Sequence, residues 1–487
     1  MSEPWLLRGA PADGAPLWCL GEVAARVGAV CLAGDPGLRL CGAAADTRAV
    51  RPGDLFCAVR GDRVDAHALL PEAWEAGAAA ALVDRAPGAA WSLDAVPPGR
   101  GVLLVPGVVP ALGRLAAARL RELGDAPRVV GVTGSVGKTT TAAQVAAALS
   151  AGGEVLVPDR SFNTEISLPL VCLRAAPRHR FAVLELAMRG PGQIAYLAEV
   201  ARPRVGVITR IGESHLEVMG SIEAIAEAKG ELLRALPRDG LAVLNADDPR
   251  QAGMAAWSAA PVRTYGAAEE ADVRGTGLRM LPGGGWGFEA RLRASGRSVP
   301  VRIALLGRHH VWGALAALCA AEALGCAPLD AAARLEGVRP ERGRLAVVSA
   351  GRLRLLDDTF NAAPLSMLAA LETLGLLAPP GARAAVLGDM LELGPATISG
   401  HRRVGRAAAE AQLAWLVAVG PLAEDIAAGA LEAGCDPAAV HRAPDAEAAA
   451  ALLPRLLASL PDGAAVLFKA SHATGLERLV AAVEAGP

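Results

Sequence analysis

The stretch Val129-Val130-Gly131-Val132-Thr133-Gly134-Ser135-Val136-Gly137-Lys138-Thr139-Thr140 decides how the chain is read. An apolar run ends in a glycine turn, and Lys138 then opens a long alanine-rich helical pattern. Strand, turn and helix in that order aim successive backbone N–H groups, with the helix N-terminus behind them, at one point, a cradle for phosphate. Lys138 can reach β- and γ-phosphates there, and the Thr139 hydroxyl is placed to ligate Mg²⁺. Gly134, Ser135, Gly137, Lys138, Thr139 and Thr140 are the candidate ATP-binding residues of this segment. Val132 stands where the strict G-x-x-x-x-G-K-[ST] pattern has its first glycine. The plainer alternative is a glycine-rich β–α turn with an incidental lysine.

Outward from that segment, 181–186 and 205–209 are apolar runs of the kind expected for strands buried on both faces. Glu185 interrupts the first, and His215 comes after the second in Ile211-Gly212-Glu213-Ser214-His215. Ligands collect at the carboxyl ends of strands in open α/β sheets, where a carboxylate and an imidazole could hold a metal. Taken alone, each reads more simply as a solvated loop residue. In the helical pattern 222–236, Ile222, Ile225, Leu232, Leu233 and Leu236 form one apolar stripe, and Lys229 falls in its middle. An inward lysine loses hydration, its pKa falls, and the neutral amine can capture carbon dioxide as a carbamate. The alternative is a lysine snorkelling from the stripe's edge. Both readings are open at this level.

Short apolar runs punctuated by 55 glycines and 34 prolines make the whole chain α/β. Before the phosphate-loop segment, 55–59, 79–83 and 102–105 read as strands, and a boundary near residue 107 assigns the helical pattern 112–123 to the central unit. Residues 266–300, rich in Gly and Arg, read as an excursion of short antiparallel strands. A third unit begins near Pro340, with strands 353–356, 384–387, 416–419 and 465–468 alternating with helices, a doubly wound pattern. Three segments there come directly after strands: Asp357-Asp358-Thr359-Phe360-Asn361, Leu387-Gly388-Asp389-Met390-Leu391-Glu392-Leu393-Gly394, and Lys469-Ala470-Ser471-His472. Asp358 could bind ribose hydroxyls or simply close an Asx turn.

The length of 487 residues calls for about three domains at about 150 residues each. With 53% apolar and 20% charged residues, disorder is excluded for most of the chain. Forty-eight basic residues against 50 acidic ones exclude a general nucleic-acid-binding surface. The eight cysteines, at 19, 31, 41, 57, 172, 319, 326 and 435, form no C-x-x-C pair, which fits a reducing compartment. No signal peptide is read in MSEPWLLRGAPADG, and no apolar run is long enough to span a membrane. The expectation is a cytoplasmic protein, monomeric, with no nucleic acid and no membrane span.

Taken in order, these motifs resemble the Mur ligases, ATP-dependent amide-forming enzymes of peptidoglycan precursor synthesis, over nearly the whole chain. Asp46-Thr47-Arg48, Pro52-Gly53-Asp54-Leu55-Phe56 and Gly61-Asp62-Arg63-Val64-Asp65-Ala66-His67 are similar to the family's uridine-nucleotide domain. TGSVGKTTT, the Glu185 run, IGESHLEVMGS and AEAKGEL match its centre, and Gly343-Arg344, DDTFNAAPLSM, LGDMLELG and KASH its last part. The resemblance implies three domains. These are an N-terminal UDP-MurNAc-peptide-binding α/β domain (1–107), a central P-loop ATPase-like domain with a mostly parallel sheet (108–339) and a C-terminal Rossmann-like doubly wound domain (340–487).

It further implies that Lys229 is carbamylated and shares a Mg²⁺ with His215 and Glu185, while Thr139 holds a second Mg²⁺ nearer the phosphates. Arg344, Asp358 and Asn361 then face the nucleotide, and Thr47, Arg48, Asn163 and Thr164 the first substrate. LGDMLELG, and the absence of a D-N-P-R signature, favour the branch that joins D-Ala-D-Ala to UDP-MurNAc-tripeptide; the alternative is a Mur-like ligase using another amine. Departures are Thr164 in Ser161-Phe162-Asn163-Thr164, Gly313 in place of an adenine-contacting asparagine, Phe360 in place of tyrosine, and His472 in place of arginine.

Overall fold

The computed structural model describes residues 8–11, 16–61, 64–159 and 162–486. Asp62, Arg63, Ser161 and most of the first fourteen residues, which enter the motifs quoted above, lie outside them. The chain builds three main sheets in sequence order.

In the first sheet, Gly42–Ala44, Asp54–Cys57, Ala80–Val83 and Gly101–Leu104 run parallel, edged by the antiparallel Arg8–Gly9 and Val30–Ala33. Side chains alternate across a strand, so Leu55 and Cys57 enter one core and Phe56 the opposite one. The helix Val108–Glu122, assigned by the sequence pattern to the centre, serves both neighbours. Its Leu112 and Leu115 pack under the first sheet, while Ala116 and Leu120 join the core of the next.

The central sheet has nine strands. Glu154–Leu156, His179–Glu185, Arg128–Thr133, Val205–Ile208, Leu241–Asn245 and Val262–Gly266 are parallel neighbours in that spatial order. Val273–Met280 pairs parallel with the last of these, and Trp286–Leu292 and Arg297–Ile303 extend the same sheet antiparallel. The Gly- and Arg-rich segment forms antiparallel strands as expected, and they build the far edge of this sheet. Its alternating Trp286, Phe288, Ala290 and Leu292 pack on one side against the helix His310–Ala323. That helix lies on the phosphate-loop helix Lys138–Leu149.

The third sheet orders Ala346–Ala350, Leu353–Asp358, Ala465–Lys469, Arg383–Gly388, Trp415–Val419 and Val440–Ala443, parallel except for the first strand, which forms a hairpin with the second. The turn after Arg383–Gly388 touches the segment after Val205–Ile208, so the carboxyl ends of strands in the third and central sheets face each other.

Candidate active site

The strand Arg128–Thr133 delivers the phosphate loop. Gly134 has φ 149°, and a Cβ there would stand 1.9 Å from Thr209 Oγ1. Gly137 has φ 81°, the left-handed conformation that turns the chain into the helix at Lys138. The loop is laced to the segment after the strand Val205–Ile208. Ser135 N–H donates to Arg210 O (2.7 Å), Ser135 Oγ to Gly212 O (2.9 Å), and Thr209 Oγ1 to Val136 O (2.7 Å). A buried bracket holds that segment in turn. Ile211 N–H donates to Asp248 Oδ2 (2.8 Å), Gln251 Nε2 donates to Thr209 O (3.2 Å), and the Tyr265 hydroxyl donates to the carbonyl of Ile208 or Thr209. Asp248, Gln251 and Tyr265 carry no motif signal in the sequence, because their role is to hold backbone.

Glu185, 4% exposed, ends the neighbouring strand. It accepts from Thr139 Oγ1 (2.7 Å) and from Asn163 Nδ2 (2.8 Å), so three predicted residues meet on one carboxylate. Lys138 Nζ curls back onto Gly134 O (2.9 Å). Burial lowers its pKa, Glu185 opposes the shift, and Arg344 from the third unit adds to it. Arg344 therefore stands near the phosphate loop, with its guanidinium 3.9 Å from the Phe360 ring centroid.

Lys229 is 2% exposed, which rules out snorkelling. Burial above all, then the charge of Lys138, holds its amine well below the usual lysine range. The helix Ile222–Arg234 buries Ile225, Leu232 and Leu233 on the same side, so the apolar stripe carries the lysine inward with them. His215 has φ 59° and opens the short helix Leu216–Met219. Its pKa is lowered chiefly by burial, against the pull of Glu392, with Lys138 and Lys229 lowering it further. Lys138, Glu185, His215 and Lys229 are thus linked into one electrostatic cluster.

Among the described residues, no three of His, Cys, Asp and Glu stand close enough to hold a metal. Glu185 and His215 offer one carboxylate and one imidazole, so a Mg²⁺ held by them would need a further anionic oxygen. Burial lowers the pKa of the Lys229 amine, which favours its reaction with carbon dioxide, and a carbamate there would supply that oxygen.

The remaining expected residues are spread over all three units. Thr140 is part-buried in the first turn of the phosphate-loop helix. Thr164 pairs with Ser167 (2.9 Å) at the start of the helix Ser167–Leu173, away from the Glu185 carboxylate that Asn163 touches. Asp358 is engaged by buried Lys469 (2.6 Å) and by Leu345 N–H (3.2 Å), and the Asn361 carbonyl accepts from the same lysine (2.8 Å). Thr47 and Arg48 lie on the 3-10 turn Thr47–Ala49 of the first unit, where Arg48 pairs with Asp46 (2.5 Å). Two departures from the family pattern touch each other, since Phe360 and His472 stack at 6.2 Å. At Gly313 a Cβ would overlap Gln144 Oε1 at 2.1 Å, so that amide already fills the place of a larger side chain.

Contacts of the third unit with the central one include two side-chain pairs, Glu392 on His215 Nδ1 and Arg403 on Glu213 (3.2 Å). Glu392 lies in a segment that the sequence singles out without a role. Arg403, within the helix Thr397–Glu410, carries no signal of its own.

Known proteins resemble this chain over most of its length. Residues 132–321 match the Mur ligase middle domain, and residues 343–472 match the Mur ligase, glutamate ligase domain. The UDP-N-acetylmuramoyl-tripeptide–D-alanyl-D-alanine ligase of Bacillus subtilis is 36% identical over 440 residues, 90% of this chain and 92% of that one. Its counterpart from Mycobacterium bovis is 38% identical, covering 88% and 89%. Among solved structures, MurF from Acinetobacter baumannii superposes with a TM-score of 0.87 at 29% identity, covering 97% of this chain and 99% of that one. MurF of Thermotoga maritima, in complex with ADP, superposes at 0.78 and 28% identity, covering 91% and 97%.

Proposed function

The chain belongs to the Mur ligase family, and from that premise we propose that it joins D-Ala-D-Ala to UDP-MurNAc-tripeptide, with ATP as the energy source. The observation that carries this reading is that Lys138, Glu185 and His215 sit at the carboxyl ends of adjacent strands, with Thr139 and Asn163 on the Glu185 carboxylate and Lys229 and Arg344 electrostatically linked to Lys138. Residues 1–107 hold the UDP-MurNAc-peptide, with Thr47 and Arg48 toward the nucleotide. Residues 108–339 bind ATP, and residues 340–487 bring the amine. The reaction runs in the cytoplasm, on a monomer.

The tripeptide carboxylate attacks the γ-phosphate, giving an acyl phosphate and ADP. The amino group of D-Ala-D-Ala then attacks the carbonyl carbon, and the tetrahedral intermediate expels phosphate as the amide forms. Lys138 and Arg344 flank the phosphates and offset their charge, work that is positioning plus electrostatics. Thr139 would hold one Mg²⁺ and Glu185, His215 and carbamylated Lys229 the other, which together supply further positive charge on the phosphoryl oxygens. Asn163 fixes the Glu185 carboxylate, and the docked third unit excludes water from the acyl phosphate.

The test is phosphate release from ATP with UDP-MurNAc-tripeptide, varying only the amine. Release is expected with D-Ala-D-Ala and not with single amino acids. Lys138→Ala should lower it by at least about 100-fold. Release driven by a different amine would establish the other acceptor reading, which the Phe360 and His472 departures favour.

A further inference from the structure

The turn Leu391-Glu392-Leu393-Gly394 projects from the third unit onto the central one. Glu392 itself has φ 60°, a left-handed conformation that costs a non-glycine residue energy and is retained where the surroundings demand it. The turn is held from both sides. Leu391 N–H donates to Ser471 Oγ (3.0 Å) in its own unit, and Glu392 O accepts from Glu217 N–H (3.1 Å) in the other. A Cβ on Gly394 would stand 2.8 Å from Glu217 Cα, so any side chain there would collide with that backbone. The outcome is the Glu392 carboxylate on Nδ1 of His215.

We propose that Glu392 is a positioning residue for His215, supplied by the third unit only when that unit is docked. A carboxylate can only accept, so the imidazole must carry its proton on Nδ1, and the lone pair is left on Nε2. A histidine that ligates a metal through one nitrogen is held by an acceptor on the other, which fixes its tautomer and ring orientation. Here the acceptor comes from a different folding unit than the histidine. Docking therefore couples to the chemistry through one hydrogen bond, and the ligand set is completed in geometry when the amine-bearing unit arrives. The second inter-unit pair, Arg403 with Glu213, is partly exposed, so losing it alone leaves the units docked, and it does not touch His215.

This inference rests on the reading of His215 as a metal ligand, and the experiment separates the two. Mn²⁺ is titrated into the full-length protein saturated with ADP, and free Mn²⁺ is read by electron paramagnetic resonance. His215→Ala should abolish the tight site. Glu392→Ala should weaken it by about 10–100-fold, and Glu392→Gln, which keeps an acceptor but loses the charge, should fall between it and the parent. Arg403→Ala should stay within about threefold of the parent, the range of a half-exposed ion pair. In parallel, ¹⁵N-histidine spectra of the metal-free protein should show His215 protonated at Nδ1, and Glu392→Ala should lose that preference.

Parent-like binding by Glu392→Ala, an Nε2–H tautomer in the parent, or equal weakening by Arg403→Ala would each overturn the inference. If His215→Ala itself binds Mn²⁺ like the parent, the metal reading falls and takes this inference with it.

Discussion

Lys229 shows how much one side chain can carry. Its place in the middle of an apolar stripe is legible from spacing, but spacing alone cannot separate an inward lysine from one reaching out along the stripe's edge. Enclosure by neighbouring elements decides it, leaving 2% of the residue exposed and its amine well below the ordinary range. Lys229→Ala should lose at least about 100-fold in amide formation, since an electrostatic group of the site is deleted. Formate or acetate should restore part of the rate by occupying the vacated carboxylate position. Full activity without any additive would refute a carbamate.

His309 offers a pH test of a second buried group. Burial, with the charge of Lys469 adding to it, pulls its pKa down to about 4, and His310 beside it shifts the same way. The folded protein holds the neutral ring. Its contribution to stability is therefore complete above the unfolded value near 6.5 and is lost as pH falls from there toward 4, because the unfolded chain binds a proton that the folded one refuses. Thermal melts between pH 7.5 and 4.5 should show this loss, at up to about 1.4 kcal/mol per pH unit for His309, and His309→Gln should flatten the curve.

At the scale of elements, the buried strands were readable because strands covered on both faces need continuous apolar runs. The strand starting at Arg128 and the helix starting at Lys138 lie where the local pattern puts them. The Gly- and Arg-rich edge was not readable as part of the central sheet, since pairing of Val262–Gly266 with Val273–Met280 depends on partners rather than on local composition. Strand ends also carry an ion pair that spacing does not reveal. Lys469 and Asp358 end adjacent strands, both buried, at 2.6 Å. Lys469→Met leaves a buried carboxylate unpaired and should destabilise the third unit by about 3–5 kcal/mol. Adding Asp358→Asn should recover much of that, as read by the midpoint of urea unfolding; no recovery would show that the lysine acts through Asn361 instead.

At the scale of the whole molecule, the contact between the central and third units combines ion pairs with close apolar and backbone approaches. It rests on Glu213 with Arg403, His215 with Glu392, and the approach of Leu365 to Gly212. Arg403→Glu sets like charges face to face, which costs several kcal/mol across an interface. Small-angle scattering should then give a larger radius of gyration than the parent with an ATP analogue bound. The exchange Glu213→Arg with Arg403→Glu should bring it back; equal radii for all three proteins would mean that the pair does not hold the units together.

The sequence by itself determined the α/β class, the phosphate loop, the order of the units and the family, because these depend on residues close in the chain whose spacing covalent geometry translates directly into strand, turn and helix. Only the tertiary structure decided that Lys229 is enclosed, that Asp358 is neutralised by Lys469, and that His215 is met by a carboxylate 177 residues away. Desolvation and charge pairing act through space, and which groups share that space is set by how the sheets and helices pack.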